Sequence, residues 1–305
     1  MFACTKNDEL YKRIFEPAIK EHSFERKELI IVPDDILFYF PFEMLVAKFE
    51  QDKPRYLLQD HAVSYSASVS LLNPELKRQR EPYRDLLALG NPAFEKSKAG
   101  ITRILASMFK TIFRNEHWVP LPYSENEVKN ISKNFKNSEL LIGIDATERK
   151  FKQTASQYRY LHLATHYLAD DRQPMFSKIV FAQDPDNTKE DGYLHTFEVF
   201  NLELNAELVT LSACNTALGQ FRRGEGLIGV SRAFMYAGVP SLVVSLWPVE
   251  DESTAYLMSQ FYKYLARGDA KNVALQKAKI DLIKSDLEKN DPFYWAPFVL
   301  IGDWK

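Results

Sequence analysis

Seven short apolar runs constrain the fold of this chain more than any other feature. They are Leu29–Pro33, Leu86–Gly90, Tyr160–Thr165, Ile179–Ala182, Leu208–Ala213, Ser241–Trp247 and Phe298–Gly302. Each ends in small or polar residues. Each is too short for a core helix and too uniformly apolar for a strand with one wet face, so the runs read as buried strands. Helical spacing fills several of the gaps, over Glu225–Tyr236, Glu252–Leu265 and Asn272–Ile283. Strands alternating with helices require crossover connections, which build a mainly parallel sheet with helices on both faces. No repeat of 20–50 residues and no low-complexity segment competes with this α/β reading.

The first part of the chain has a different texture. Leu29 to Leu45 reads as two strands around a Pro33-Asp34-Asp35 turn, a hairpin,. Asn73 to Asp85 is polar with two prolines and suits a linker. The expected division is an accessory subdomain over residues 1–80 and a main domain over 81–305, with a surface helix within residues 93–120. A length of 305 residues accommodates either one large domain or two small ones,.

Charge and cysteine usage exclude several function classes. Lys+Arg number 39 against 41 Asp+Glu, which argues against a strongly basic nucleic-acid binder or a polybasic membrane clamp,. The Lys77/Arg78/Arg80/Arg84 cluster is interspersed with glutamates and reads as a solvated surface. The only cysteines, Cys4 and Cys214, make neither a disulfide framework nor a structural zinc site, and a reducing, cytoplasmic setting fits them best,. The longest uncharged apolar window, Ala233 to Val249, is too short to span a bilayer and is interrupted by Gly238 and Pro240,. The N-terminus carries no signal-peptide pattern. Helix-like sequence begins almost at once, which is read here as one module of a longer or multi-component system.

Chemistry concentrates at strand ends, where open parallel sheets place ligands and nucleophiles. Cys214 ends the run LVTLSAC, before a glycine-bearing loop that leads into a helix; a thiol there is either a core residue or a nucleophile,. His166 ends YLHLATH, and is either a satisfied buried histidine or the imidazole that activates a thiol,. His162 and His166 have the spacing of half a zinc motif, but Leu163 stands where the catalytic glutamate would be and the setting is strand-like, so His162 reads as structural and no metal is expected. Asp251 follows another strand end, as a helix N-cap or as a carboxylate at the rim of a pocket for a basic side chain. No GxSxG, GxxxxGK[ST] or GxGxxG occurs, which removes serine hydrolase, P-loop and dinucleotide readings,.

Together the segments LIIVPDDILFYFPFEML, LLALGNPAF, YLHLATHY, LSACNTALGQFRRGEG, SLVVSLWPVEDEST and PFYWAPFVLIGDW run in order through nearly the whole chain. In this combination the sequence resembles the CHAT family, caspase-like domains often fused to tetratricopeptide repeats. The resemblance implies a three-layer α/β/α sandwich of caspase-hemoglobinase type, mainly parallel, with a smaller degenerate N-terminal subdomain. It also implies a cysteine endopeptidase that needs no cofactor, with His166 and Cys214 as the dyad and the backbone N–H groups near Tyr167 and Cys214 holding the oxyanion. SLWPVED is similar to a stretch of separases, relatives in the same protease clan, which makes Asp251 the candidate for selecting Arg or Lys before the cleaved bond. The implied partners are a protein substrate and a tetratricopeptide-repeat or sensor partner in prokaryotic signalling or defence, with latency until a trigger arrives, and neither nucleic acid nor membrane. One departure from the family pattern stands out. Tyr167 occupies the position after the histidine where the family has glycine, and a need for positive φ there would fit tyrosine poorly. The rival expectation is therefore a catalytically dead caspase-like interaction module.

Overall fold

The computed structural model describes residues 2–22, 28–69, 83–94, 118–170, 172–184, 186, 189–212, 225–285, 287 and 289–305, with backbone alone for 2–6, 18–22 and 225–227. Cys214, most of the proline-bearing linker, Lys77, Arg78 and Arg80, and most of the stretch expected as a surface helix lie outside the described residues.

The apolar runs form the strands. The main sheet contains β1 (Glu28–Ile31), β4 (Ala62–Tyr65), β5 (Arg84–Pro92), β6 (Ser138–Gly143), β7 (Tyr158–Ala164), β11 (Leu208–Leu211), β12 (Ser241–Ser245) and β13 (Phe298–Gly302), in the order β1-β4-β13-β12-β11-β7-β5-β6. Neighbours are parallel throughout except β13, which runs antiparallel to β12. At the end of β13, Gly302 has φ +100°, and a Cβ there would meet the Pro240 carbonyl oxygen at 2.1 Å, so only glycine fits,. Strands from before residue 80 thus continue the same sheet as those after it. A buried ion pair, Lys279 Nζ to Glu43 Oε1 at 3.0 Å, ties the early segment to a late helix.

Side-chain alternation builds two cores, one on each face. Leu87, Leu89, Leu161, Leu163, Val209, Leu242 and Val244 point one way. They meet α5 (Glu225–Tyr236) through Val230, Ala233 and Phe234, and α3 (Glu148–Thr154) through Phe151. Leu86, Ala88, Tyr160, Leu208 and Val243 point the other way. They meet α2 (Pro122–Ser132), α6 (Asp251–Ala266) and α7 (Lys271–Lys284) through Val128, Ile131, Leu257, Phe261 and Leu275. Each fully buried Leu or Phe contributes about 1.5–3 kcal/mol, so this period-2 alternation fixes the register of the sandwich. The described residues include no helix long and apolar enough to cross a membrane.

Two expectations change. The Pro33-Asp34-Asp35 turn does not reverse the chain into a hairpin. It opens a 3-10 turn, Asp35–Tyr39, capped by the Asp34 side chain, and a second such turn follows at Phe42–Met44. These turns deliver Phe42 and Leu45 to the core, while β1 pairs in parallel with β4. The actual hairpin is β2 (Val46–Glu50) with β3 (Lys53–Tyr56), joined through Gln51 and Asp52 at φ 50° and 62°. The run Ile179–Ala182 leaves the main sheet: β9 (Lys178–Val180) lies between β8 (Tyr167–Leu168) and β10 (Tyr193–His195) in a small antiparallel sheet.

Candidate active site

β7, β11 and β12 are parallel, so the segments that follow them leave the sheet at one edge. His166 stands two residues beyond β7, and Asp251 opens α6 after β12. On β11 the described chain reaches Ser212; Cys214 lies outside the described residues.

His166 is fully buried. Its Nε2 lies 2.7 Å from the Val119 carbonyl oxygen. A carbonyl can only accept, so Nε2 carries the proton, and in the neutral ring Nδ1 holds the lone pair. Two aromatic rings fix the plane: Trp118 stacks on the imidazole at 5.1 Å and 29°, and Phe94 tilts against it at 5.0 Å. The Val119 carbonyl is itself anchored close by. Leu121 N–H donates to Asn91 Oδ1 at 3.1 Å, and Ser124 Oγ donates to the Leu121 carbonyl at 2.7 Å. This lock needs α2 pressed close to β5. A Cβ on Gly90 would meet the Ser124 carbonyl oxygen at 2.7 Å, which is why glycine stands there.

Tyr167 resolves the question its sequence raises. It begins β8 opposite Ile179, and it is absent from the described residues with positive φ. Extended backbone of this kind suits any residue, so the position does not require glycine. The Val180 N–H donates to the His166 carbonyl at 2.9 Å, which makes the Tyr167/Ile179 pair a non-hydrogen-bonded one and turns the Tyr167 N–H away from β9,. The phenol ring is buried in the core.

Asp251 is the first helical residue of α6; the cap position belongs to Glu250, whose extended backbone precedes it and whose carboxylate pairs with Lys289 at 2.6 Å. A carboxylate in the first turn is favoured by the helix dipole. His162 takes a separate partner. Its Nε2 lies 2.7 Å from Glu127 Oε1, both buried, with the Tyr262 ring edge-on at 5.2 Å. Glu127 was recoverable in principle, because it sits with Ser124, Val128 and Ile131 on the buried stripe of α2. The Val119 carbonyl was not, because a backbone acceptor leaves no trace in sequence.

A second polar cluster lies beside the small sheet. Lys152 Nζ is ion-paired with Glu148 at 2.5 Å and with Glu190 and Glu198 at 2.7 Å each. Burial raises Glu148 to about 7, against the opposing pull of the Lys152 ammonium. The three carboxylates are close enough together to ligate a cation, and the ammonium stands among them.

Comparison with known proteins bears on this arrangement. Human and mouse tetratricopeptide repeat protein 28 are each 24% identical over 90% of the chain, which spans 12% of their length. Among solved structures, the Arg-specific cysteine proteinase gingipain R superposes with a TM-score of 0.54 at 7% identity, covering 96% of this chain and 66% of that one. The separase of Saccharomyces cerevisiae, in its securin complex, superposes at 0.51 and 14% identity, covering 94% and 16%. These likenesses establish a caspase-like α/β fold. The CHAT domain matches residues 6–303, and the chain belongs to the CHAT-domain family.

Proposed function

We propose that this chain is a cysteine endopeptidase of the CHAT type. The observation that carries the reading is the tautomer of His166: Nε2 is committed to the Val119 carbonyl, which makes Nδ1 the basic nitrogen at the edge reached by β7, β11 and β12. In the proposed reaction His166 Nδ1 accepts the Cys214 thiol proton, and the thiolate attacks the scissile carbonyl. The outward-turned Tyr167 N–H and the Cys214 N–H receive the oxyanion. His166 then returns the proton to the leaving amine, and water hydrolyses the thioester. Asp251 selects Arg or Lys before the cleaved bond, in keeping with an Arg-specific neighbour of the same fold. Residues 1–80 act as a support that completes the sheet. The partners are a protein substrate and a tetratricopeptide-repeat or sensor component, by likeness to repeat-bearing relatives.

Active-site labelling tests this. A peptide ketone with Arg at P1 should label Cys214, as read by peptide mapping. Labelling should disappear in Cys214→Ala and His166→Ala, weaken in Asp251→Ala, and stay low for an Asp-P1 reagent. Equal labelling by both reagents, or labelling of Cys4 alone, with and without a candidate activator, would replace the peptidase with an interaction module.

A further inference from the structure

The aromatic surroundings of His166 extend beyond the candidate site. Trp118, stacked on His166, brings its indole N–H to 3.5 Å from the Tyr193 hydroxyl. Tyr193 and His195 share one face of β10, with ring centroids 6.5 Å apart,. His195 stacks on Phe197 at 5.2 Å and 16°, and Phe176 meets Phe197 edge-on at 5.7 Å. His195 is held in that plane by its Nδ1, 3.3 Å from the Phe176 carbonyl oxygen. The row therefore runs from the candidate catalytic histidine to two rings, Phe176 and Phe197, that keep 51% and 38% of their surface exposed.

Beside these rings opens a cavity of about 230 Å³, lined by Phe176, His195, Phe197, Glu190, Asp191 and Glu198. Its size is below the roughly 300–1,000 Å³ of small-molecule and cofactor sites, so it suits a single side chain. Its charge is negative. Lys189 lines it too, and Lys152 holds Glu190 and Glu198, but Asp191 remains largely solvent-facing, with Oδ2 3.9 Å from His195 Nε2. Aromatic faces beside carboxylates recognise a planar cation: a guanidinium stacks on the ring and forks its N–H groups onto the acid. The adjacent ring already meets a cation, with Lys178 Nζ 4.1 Å from the centroid of Tyr193,.

We propose that this cavity binds an arginine side chain of a polypeptide whose chain also reaches His166, at a position removed from the bond to be cleaved. The identity of that polypeptide as a substrate rests on the peptidase reading; the arginine recognition does not. The test uses the Cys214→Ala chain titrated with N-acetyl-arginine methylamide, followed by the NMR signal of the His195 imidazole, which is assigned through His195→Gln. A saturable shift is expected. Phe197→Ala and Asp191→Asn should each weaken it roughly tenfold, and the citrulline analogue, which keeps the shape and loses the charge, should produce none. Asp251→Asn should leave the titration unchanged, separating this cavity from the proposed P1 pocket. An equal response to citrulline, or a titration indifferent to Phe197→Ala, would overturn the assignment. Cleavage of arginine-bearing polypeptides by the native chain distinguishes the two proposals. Absence of any cleavage beside an intact titration counts against the peptidase alone, whereas cleavage with unaltered kcat/KM in Phe197→Ala removes the cavity as a substrate subsite.

Discussion

His162 and His166 lie four residues apart, both buried, yet the fold gives them opposite settings. His162 sits inside β7 between two helices, and its Nε2 meets a buried carboxylate, Glu127. His166 sits just past the strand, and its Nε2 meets a neutral carbonyl. Either acceptor fixes the tautomer of its imidazole, as the carboxylate of a catalytic triad also does, so the acceptor alone does not make a histidine structural. What differs is the setting of the second nitrogen: His162 Nδ1 is buried within the strand with no hydrogen-bond partner among the described residues, whereas His166 stands beyond the strand end. The position along the strand, not the residue type, separates core histidine from candidate catalyst.

The largest expected effect breaks this comparison on the catalytic side. His166→Ala should lower kcat/KM for an Arg-P1 peptide by roughly 10²–10⁴, while Glu127→Ala should leave activity per folded molecule nearly unchanged. Glu127→Ala should instead lower unfolding stability by about 1–3 kcal/mol, because it strands a buried ring nitrogen. Urea melts and initial rates on both variants check the pair, and reversed effects would exchange the two roles.

Tyr167→Gly sharpens the edge side. Glycine at this position should not raise activity, since the backbone there is extended. It should destabilise the fold by about 3–5 kcal/mol through loss of a buried ring,. A stable and faster Tyr167→Gly enzyme would show that the tyrosine impairs the oxyanion site.

The smallest effect concerns a further buried carboxylate, Glu148. Glu148 shares one ammonium with two further acids, and burial lifts it to about 7 from its ordinary 4.5. A carboxyl raised in the folded state keeps its proton better there, so its contribution is full below about pH 4.5 and fades as pH rises through about 7. Unfolding stability should therefore decline between about pH 4.5 and pH 7, on the order of 1 kcal/mol once solvent screening is allowed for,. Glu148→Gln should flatten that decline, and an unchanged slope would mean that Glu148 ionises as an exposed carboxyl does.

Much of this was legible in the chain. The helical patterns at Glu225–Tyr236, Glu252–Leu265 and Asn272–Ile283 match α5, α6 and α7 within a residue or so, because apolar spacing there answers directly to a buried face,. The runs around Leu87, Leu161, Val209 and Val243 became central strands for the same reason. The Pro33-Asp34-Asp35 segment misled because a turn signal is local, while the path after it was set by Phe42 and Leu45 reaching the core. The true hairpin was missed because Gln51-Asp52 adopts left-handed φ without the Asn-Gly signature,.

By itself the sequence determined that strands alternate with helices, that the apolar runs are buried strands, and that His166 and Asp251 follow strand ends. Those features depend on neighbours within a turn or two of chain. Only the tertiary structure decided the strand order, the antiparallel turn of β13, and the partner of each histidine. Val119 and Glu127 lie 47 and 35 residues from the imidazoles they meet, and the first acts through a backbone oxygen that every residue carries. A hydrogen bond to such an atom is a matter of position alone, and position is what folding supplies.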